Sequence, residues 1–113
     1  MSAITTHILD VSTGVPARGV PVTLELETGE GWEVVGTGTT DDDGRLRDLL
    51  DAGAAINTGN YRLIFDTEFY FAEQRIESFY PEVTVAFTVR DAAQHYHVPL
   101  LLSPFGYSTY RGS

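Results

Sequence analysis

Two of the three histidines stand one residue apart in QHYHVPLL, as His95 and His97, and the third, His7, lies in ITTHILD. Strand side chains alternate between faces, so a strand here puts His95 and His97 on one side with Pro99 and Leu101, opposite a core face of Tyr96, Val98, Leu100 and Leu102. Imidazole titrates near neutral pH, which suits it to take or give a proton during a reaction. His-x-His on a strand with a third histidine elsewhere is also the spacing of a catalytic zinc site, although nothing adjacent to His7 or His97 supplies the acidic or carbonyl partner that zinc-bound histidines use. A third reading is plain solvation of polar residues on an exposed strand face. Arg45, directly after the acidic turn TDDDG, adds a planar donor that stays charged and recognises flat polar groups.

Other chemistries find no support. DDDGR is not an EF-hand loop, because Thr39 and Leu50 occupy the first and last ligand positions. GTGTTD lacks the third glycine of a dinucleotide fingerprint, and GVPARGV lacks the Gly-Lys-Ser/Thr of a phosphate loop. Ser103, Ser108 and Ser113 lack the Gly-x-Ser-x-Gly context of a nucleophilic serine. With no cysteine and no lysine there is no thiolate nucleophile, disulfide or Schiff base. Asp41 to Asp43 read as a solvated turn rather than as paired carboxylates for glycoside hydrolysis.

The elements that must hold these residues are strands. ITTHILD places Thr5, His7 and Leu9 on one face, VPVTLELET and WEVVGTGTT flank the hairpin signal TGEGW, and YRLIFDT alternates Tyr61, Leu63 and Phe65 against Arg62 and Ile64. PEVTVAFTV gives the cleanest alternation, with Val83, Val85, Phe87 and Val89 on one side. TEFYFAEQRIES reads as a short helix closed off by Pro81, and LLDAGAAINTGN as a loop. Gly44 falls where the acidic turn needs positive φ. Pro99 cannot donate to a ladder, so its strand is at an edge or its amide faces away from a partner. Strands at this spacing predict an all-β, two-sheet sandwich.

A chain of 113 residues, 42% hydrophobic and 20% charged, fits one domain, residues 1–113, with a sizeable core. Its formal charge of -9 repels a phosphate backbone, which argues against nucleic acid as a partner. No stretch has the length of a membrane span, MSAITTHILD shows no signal-peptide pattern, and the expected location is the cytoplasm.

Three segments carry a resemblance: ITTHILDVSTGVPARGVPVTLE at the start, YRLIFDT in the middle and HYHVPLLLSPFGYSTYRGS at the end, closing on the signature Tyr110, Arg111, Gly112, Ser113. Together they strongly resemble the 5-hydroxyisourate hydrolases, the transthyretin-like proteins. The resemblance implies a transthyretin-like sandwich of two four-stranded sheets, about eight strands with one short helix, assembled as a homotetramer, a dimer of dimers with sites between dimers. It implies hydrolysis of 5-hydroxyisourate, a purine-derived small molecule, without cofactor or metal. Carried over by position, His7, Arg45, His97 and Ser113 are catalytic, and His7, Arg45, Tyr110 and Arg111 bind substrate. The role of His95 stays open. A hormone carrier on the same fold is the rival expectation, since fold does not fix function, yet imidazoles and an arginine facing a channel are costly to desolvate unless used.

Overall fold

The computed structural model describes residues 2–51 and 53–113. The elements run β1 (Ile4–Asp10), β2 (Val15–Pro16), β3 (Pro21–Thr28), β4 (Gly31–Thr39), β5 (Arg45–Leu46), β6 (Gly59–Phe65), α1 (Thr67–Glu73), β7 (Val83–Val89), β8 (Tyr96–Ser103) and β9 (Gly106–Thr109). One sheet has the order β2-β1-β8-β9 with β5 also paired to β1, and the other the order β4-β3-β6-β7. The chain is therefore a two-sheet sandwich with one short helix, as its alternation predicts. The first sheet counts five strands rather than four because β2 and β5, two residues each, pair with different parts of β1.

Period-two patterning fixes which faces meet. Ile4 and Ile8 of β1 and Leu100 and Leu102 of β8 pack inward against Val22, Leu24, Leu63, Phe65 and Val83 of the opposite sheet. Burying each such side chain contributes roughly 1.5–3 kcal/mol. Inward-facing Asp10 is fully buried, and its carboxylate accepts from the Tyr70 hydroxyl at 2.8 Å and the Ser12 amide at 3.0 Å. Desolvation and the Asp10 carboxylate push the Tyr70 phenol up to about 12. Among the described residues no helix is long and apolar enough to cross a membrane.

One expectation needs correction, and one open alternative is decided. The helix stops at Glu73, well before Pro81, because Arg75 takes a left-handed φ of 57° and ends the turn with its amide on the Ala72 carbonyl. Its start is set by Asp66, whose side chain accepts from the Phe69 amide at 3.1 Å. Of the two alternatives for Pro99, the edge position is excluded, since β8 lies between β1 and β9, and the other holds, its amide position having no ladder partner. Its carbonyl and that of His97 turn toward the chain's last residues, accepting from the Thr109 hydroxyl at 2.7 Å and the Gly112 amide at 2.8 Å. The missing N–H thus falls where β9 leaves the ladder after Thr109, between the Leu100–Thr109 pair and the isolated His97–Gly112 bridge.

Candidate active site

β1 is the strand on which the polar residues are assembled. It runs parallel to β8 with Thr5 opposite His97 and His7 opposite Pro99, and antiparallel to β5 with His7 opposite Arg45. Ile4 and Ile8 face the core, so alternation turns Thr5 and His7 to the other side, the side of His97. Residues 90 and 92 positions apart in sequence are thereby brought within hydrogen-bonding distance: the Thr5 hydroxyl lies 2.8 Å from His97 Nδ1 and 3.1 Å from His95 Nε2. The two imidazoles are nearly parallel, at 14°, with centroids 6.4 Å apart.

Arg45 owes its place to the acidic turn. The Asp41 carboxylate accepts from the amides of Asp43 and Arg45, both at 2.9 Å, and the bond from Arg45 is the first cause holding its pKa below the usual carboxylate value. Gly44, with φ +72°, lets its carbonyl accept from the Ile8 amide at 2.8 Å, tying the turn to β1 one residue beyond His7. A Cβ there would meet the Ile8 oxygen at 2.4 Å.

Arg45, Arg47, His95, His97 and Ser113 line one cleft of about 280 Å³ with Thr5 at its wall. Two guanidiniums thus collect in one spot of a chain with formal charge -9, although Asp41 lies 4.0 Å from Arg47. Burial, then the positive charges of His95, Arg45 and His7, hold the His97 pKa below the ordinary imidazole value of 6.5. An imidazole so placed is neutral at physiological pH and available as a base. Among the described residues no group of three His, Asp or Glu side chains is arranged to hold a metal ion.

The structure thus brings Arg45, His97 and Ser113 together and sets His7 alongside. It does not bring Tyr110 and Arg111 to the same cleft. They border an adjoining, more apolar hollow of about 220 Å³ between β7 and β8, which shares His97 as a wall with the cleft. There the Arg111 guanidinium stands 4.7 Å from the Tyr96 ring centroid and donates to Gln94 Oε1 at 2.9 Å, while Tyr110 is 59% exposed. Thr5 and Arg47 are not evident from sequence, whereas His95 shares the side of His97 that alternation assigns to it. Thr5 shares the alternating face of His7, but a threonine in a strand is ordinary, and only the β1–β8 register reveals its partners.

Residues 4–112 match the model of the HIUase/Transthyretin family. The chain belongs to this family. Its relatives within the HIUase/Transthyretin family include a 5-hydroxyisourate hydrolase of Salmonella typhimurium, 50% identical over 110 residues that cover 97% of this chain and 80% of the relative. Among solved structures, the 5-hydroxyisourate hydrolase of Klebsiella pneumoniae superposes with a TM-score of 0.85 at 38% identity, covering 97% of this chain and 98% of that one. Sea bream transthyretin in complex with thyroxine superposes with a TM-score of 0.90 at 32% identity, covering 98% and 95%. Backbone likeness does not separate hydrolase from carrier, so the distinction rests on the side chains in the cleft.

Proposed function

We propose that the protein hydrolyses 5-hydroxyisourate to 2-oxo-4-hydroxy-4-carboxy-5-ureidoimidazoline, a step of urate degradation, by attack of water that opens the six-membered ring with no metal. The observation that carries this reading is the meeting of Arg45, His97 and Ser113 around one cleft, in a chain about half identical to proteins named as hydrolases of that compound. Hydrolysis of a cyclic acyl urea needs a base for water and donors for the oxygen that gains charge in the tetrahedral transition state. His97, held neutral by burial and nearby positive charge, takes the proton as the water oxygen bonds to the ring carbonyl carbon. The C–N bond then breaks, the carbon becomes a carboxyl group, and the nitrogen leaves with a proton.

Arg45 offers paired N–H donors in one plane, matching the oxygens of a flat, urate-like ring. His7, opposite Arg45, binds and protonates beside it, and Ser113 closes the cleft as a further donor. Arg111 serves binding by anchoring the tail that carries Ser113, through its contacts to Gln94 and Tyr96, and Tyr110 beside it contributes to binding the substrate. The assembly is a homotetramer, a dimer of dimers in which a neighbouring copy covers the cleft. β7 and β9 each end a sheet within one chain, and Phe105, Tyr107 and Tyr110 remain 64%, 43% and 59% exposed.

The test generates 5-hydroxyisourate in situ from urate and urate oxidase and follows its near-ultraviolet decay. Added protein accelerates the decay equally with and without a chelator, and a correctly assembled His97→Asn protein does not. A normal rate from that variant removes His97 from its role, loss of rate on chelation restores the zinc alternative, and no acceleration by the parent protein ends the reading.

A further inference from the structure

Threonine 5 is 3% exposed, yet its hydroxyl is not spent on the backbone as that of Thr6 is, which donates to the Val98 carbonyl at 2.6 Å. It stands between two imidazole nitrogens, His97 Nδ1 at 2.8 Å and His95 Nε2 at 3.1 Å. A hydroxyl has one proton to give. It cannot donate to both rings, and if both rings donated to its oxygen the buried hydroxyl proton would go unused in these two contacts; one imidazole donating to Thr5 while the other accepts from it uses every group.

We propose that Thr5 is a positioning residue for the hydrolysis, coupling His95 to His97 so that a single hydroxyl proton dictates which nitrogen of His97 is bare. The proposal rests on the hydrolase reading above and names a residue and a proton path which that reading does not contain.

Two arrangements exist. When His95 is protonated, its Nε2–H donates to Thr5, the Thr5 proton goes to His97 Nδ1, and His97 carries its own proton on Nε2, where it cannot act as a base. When His95 is neutral with its proton on Nδ1, Thr5 donates to His95 Nε2 and accepts from His97 Nδ1–H. His97 Nε2 is then free to take a proton from water. In this second arrangement the imidazolium formed during the reaction keeps its Nδ1–H on the Thr5 oxygen, so nothing has to turn as the charge appears. His95 is exposed and His97 half-buried, so the hydroxyl links an outer ring to the one that faces the cleft. The other charged or titratable groups around the pair are His7 on β1, Arg45 on β5, Arg47 just beyond it and Arg111 on the tail.

The test compares the parent protein with Thr5→Val, which keeps the shape and removes the hydroxyl, and Thr5→Ser, which keeps the hydroxyl. Two readouts are taken: kcat and KM for 5-hydroxyisourate across pH, and nitrogen-15 spectra of labelled histidines with His97 assigned through His97→Asn. Thr5→Val is expected to lower kcat by about 10- to 100-fold with KM changed by less than about threefold, since orientation and proton placement are lost rather than binding. His97 in that variant shows a mixture of tautomers where the parent above neutral pH shows Nδ1–H alone, and Thr5→Ser restores both properties. A His97 spectrum unchanged in Thr5→Val, or a Thr5→Ser protein as impaired as Thr5→Val, overturns the proposal. If the parent fails to hydrolyse 5-hydroxyisourate, the functional reading falls, and the nitrogen spectra still decide whether Thr5 sets the tautomer.

Discussion

Gly112 lies directly against His97: its amide donates to the His97 carbonyl at 2.8 Å, and a Cβ on it would come within 2.6 Å of His97 Cδ2 and 3.1 Å of Pro99 Cγ. The absent side chain of one residue is the space occupied by the ring of the other. Gly112→Ala therefore forces the imidazole or the tail to move. We expect at least a tenfold fall in kcat/KM, because sub-ångström placement governs proton transfer, with little change in the urea midpoint, because the tail is largely exposed. Urea unfolding followed beside the kinetic assay separates the two effects.

The lowered pKa of His97 gives a pH dependence with a definite sign. Its folded value lies below 6.5, so between the two values the unfolded chain binds more protons than the folded one, and stability rises with pH through that window. This contribution is complete above the unfolded value and is lost as pH falls through the folded one. With His97 as the base proposed above, the acid limb of kcat/KM is expected at a pH below 6.5, in the direction of its lowered pKa. His95→Asn removes a positive charge beside His97 and is expected to shift that limb upward, which the kinetic profile and a proton NMR titration check independently.

At the acidic turn, Gly44→Ala is expected to destabilise by roughly 1–3 kcal/mol, since it combines a strained positive φ with a clash at the Ile8 carbonyl. It also displaces Arg45, so KM rises together with the loss of stability. Thermal unfolding and KM measured on the same preparation test both halves.

Within the core, Tyr70→Phe strips one donor from the fully buried Asp10 carboxylate. A cost of about 1–3 kcal/mol is expected from the bond left unmade, read as a lower urea midpoint with kcat unchanged, because Tyr70 and Asp10 lie on the core side of β1, away from the cleft.

What the sequence displays is local periodicity, and the fold is legible to that extent. VTVAFTV and YHVPLLL carry alternating apolar residues that a sandwich must bury, and both form strands. GYST forms a strand as well, but three of its four residues are exposed, so no hydrophobic alternation marks it. Helix-forming residues continue past Glu73, and the left-handed turn at Arg75 that ends the helix has no glycine to announce it. The site divides in the same way. His97 and Arg45 stand out because their chemistry is distinctive, whereas Thr5 gains meaning only from pairing between β1 and β8, a relation no local pattern encodes. The tail reads in sequence as one unit, but beyond the end of β9 it leaves the ladder, so Ser113 reaches the histidine cleft while Tyr110 and Arg111 border the adjoining hollow.

Parallel alignment of β1 with β8 also governs when the cleft can exist during folding. Thr5 and His97 are 92 positions apart, so their meeting requires closure of nearly the whole polypeptide, an entropically slow event of the kind that delays folding in proteins rich in non-local contacts. A ribosome-bound chain that has not yet released residue 97 has the histidine and arginine of β1 and β5 but nothing to oppose them. The cleft is thereby completed only once the last strands have docked.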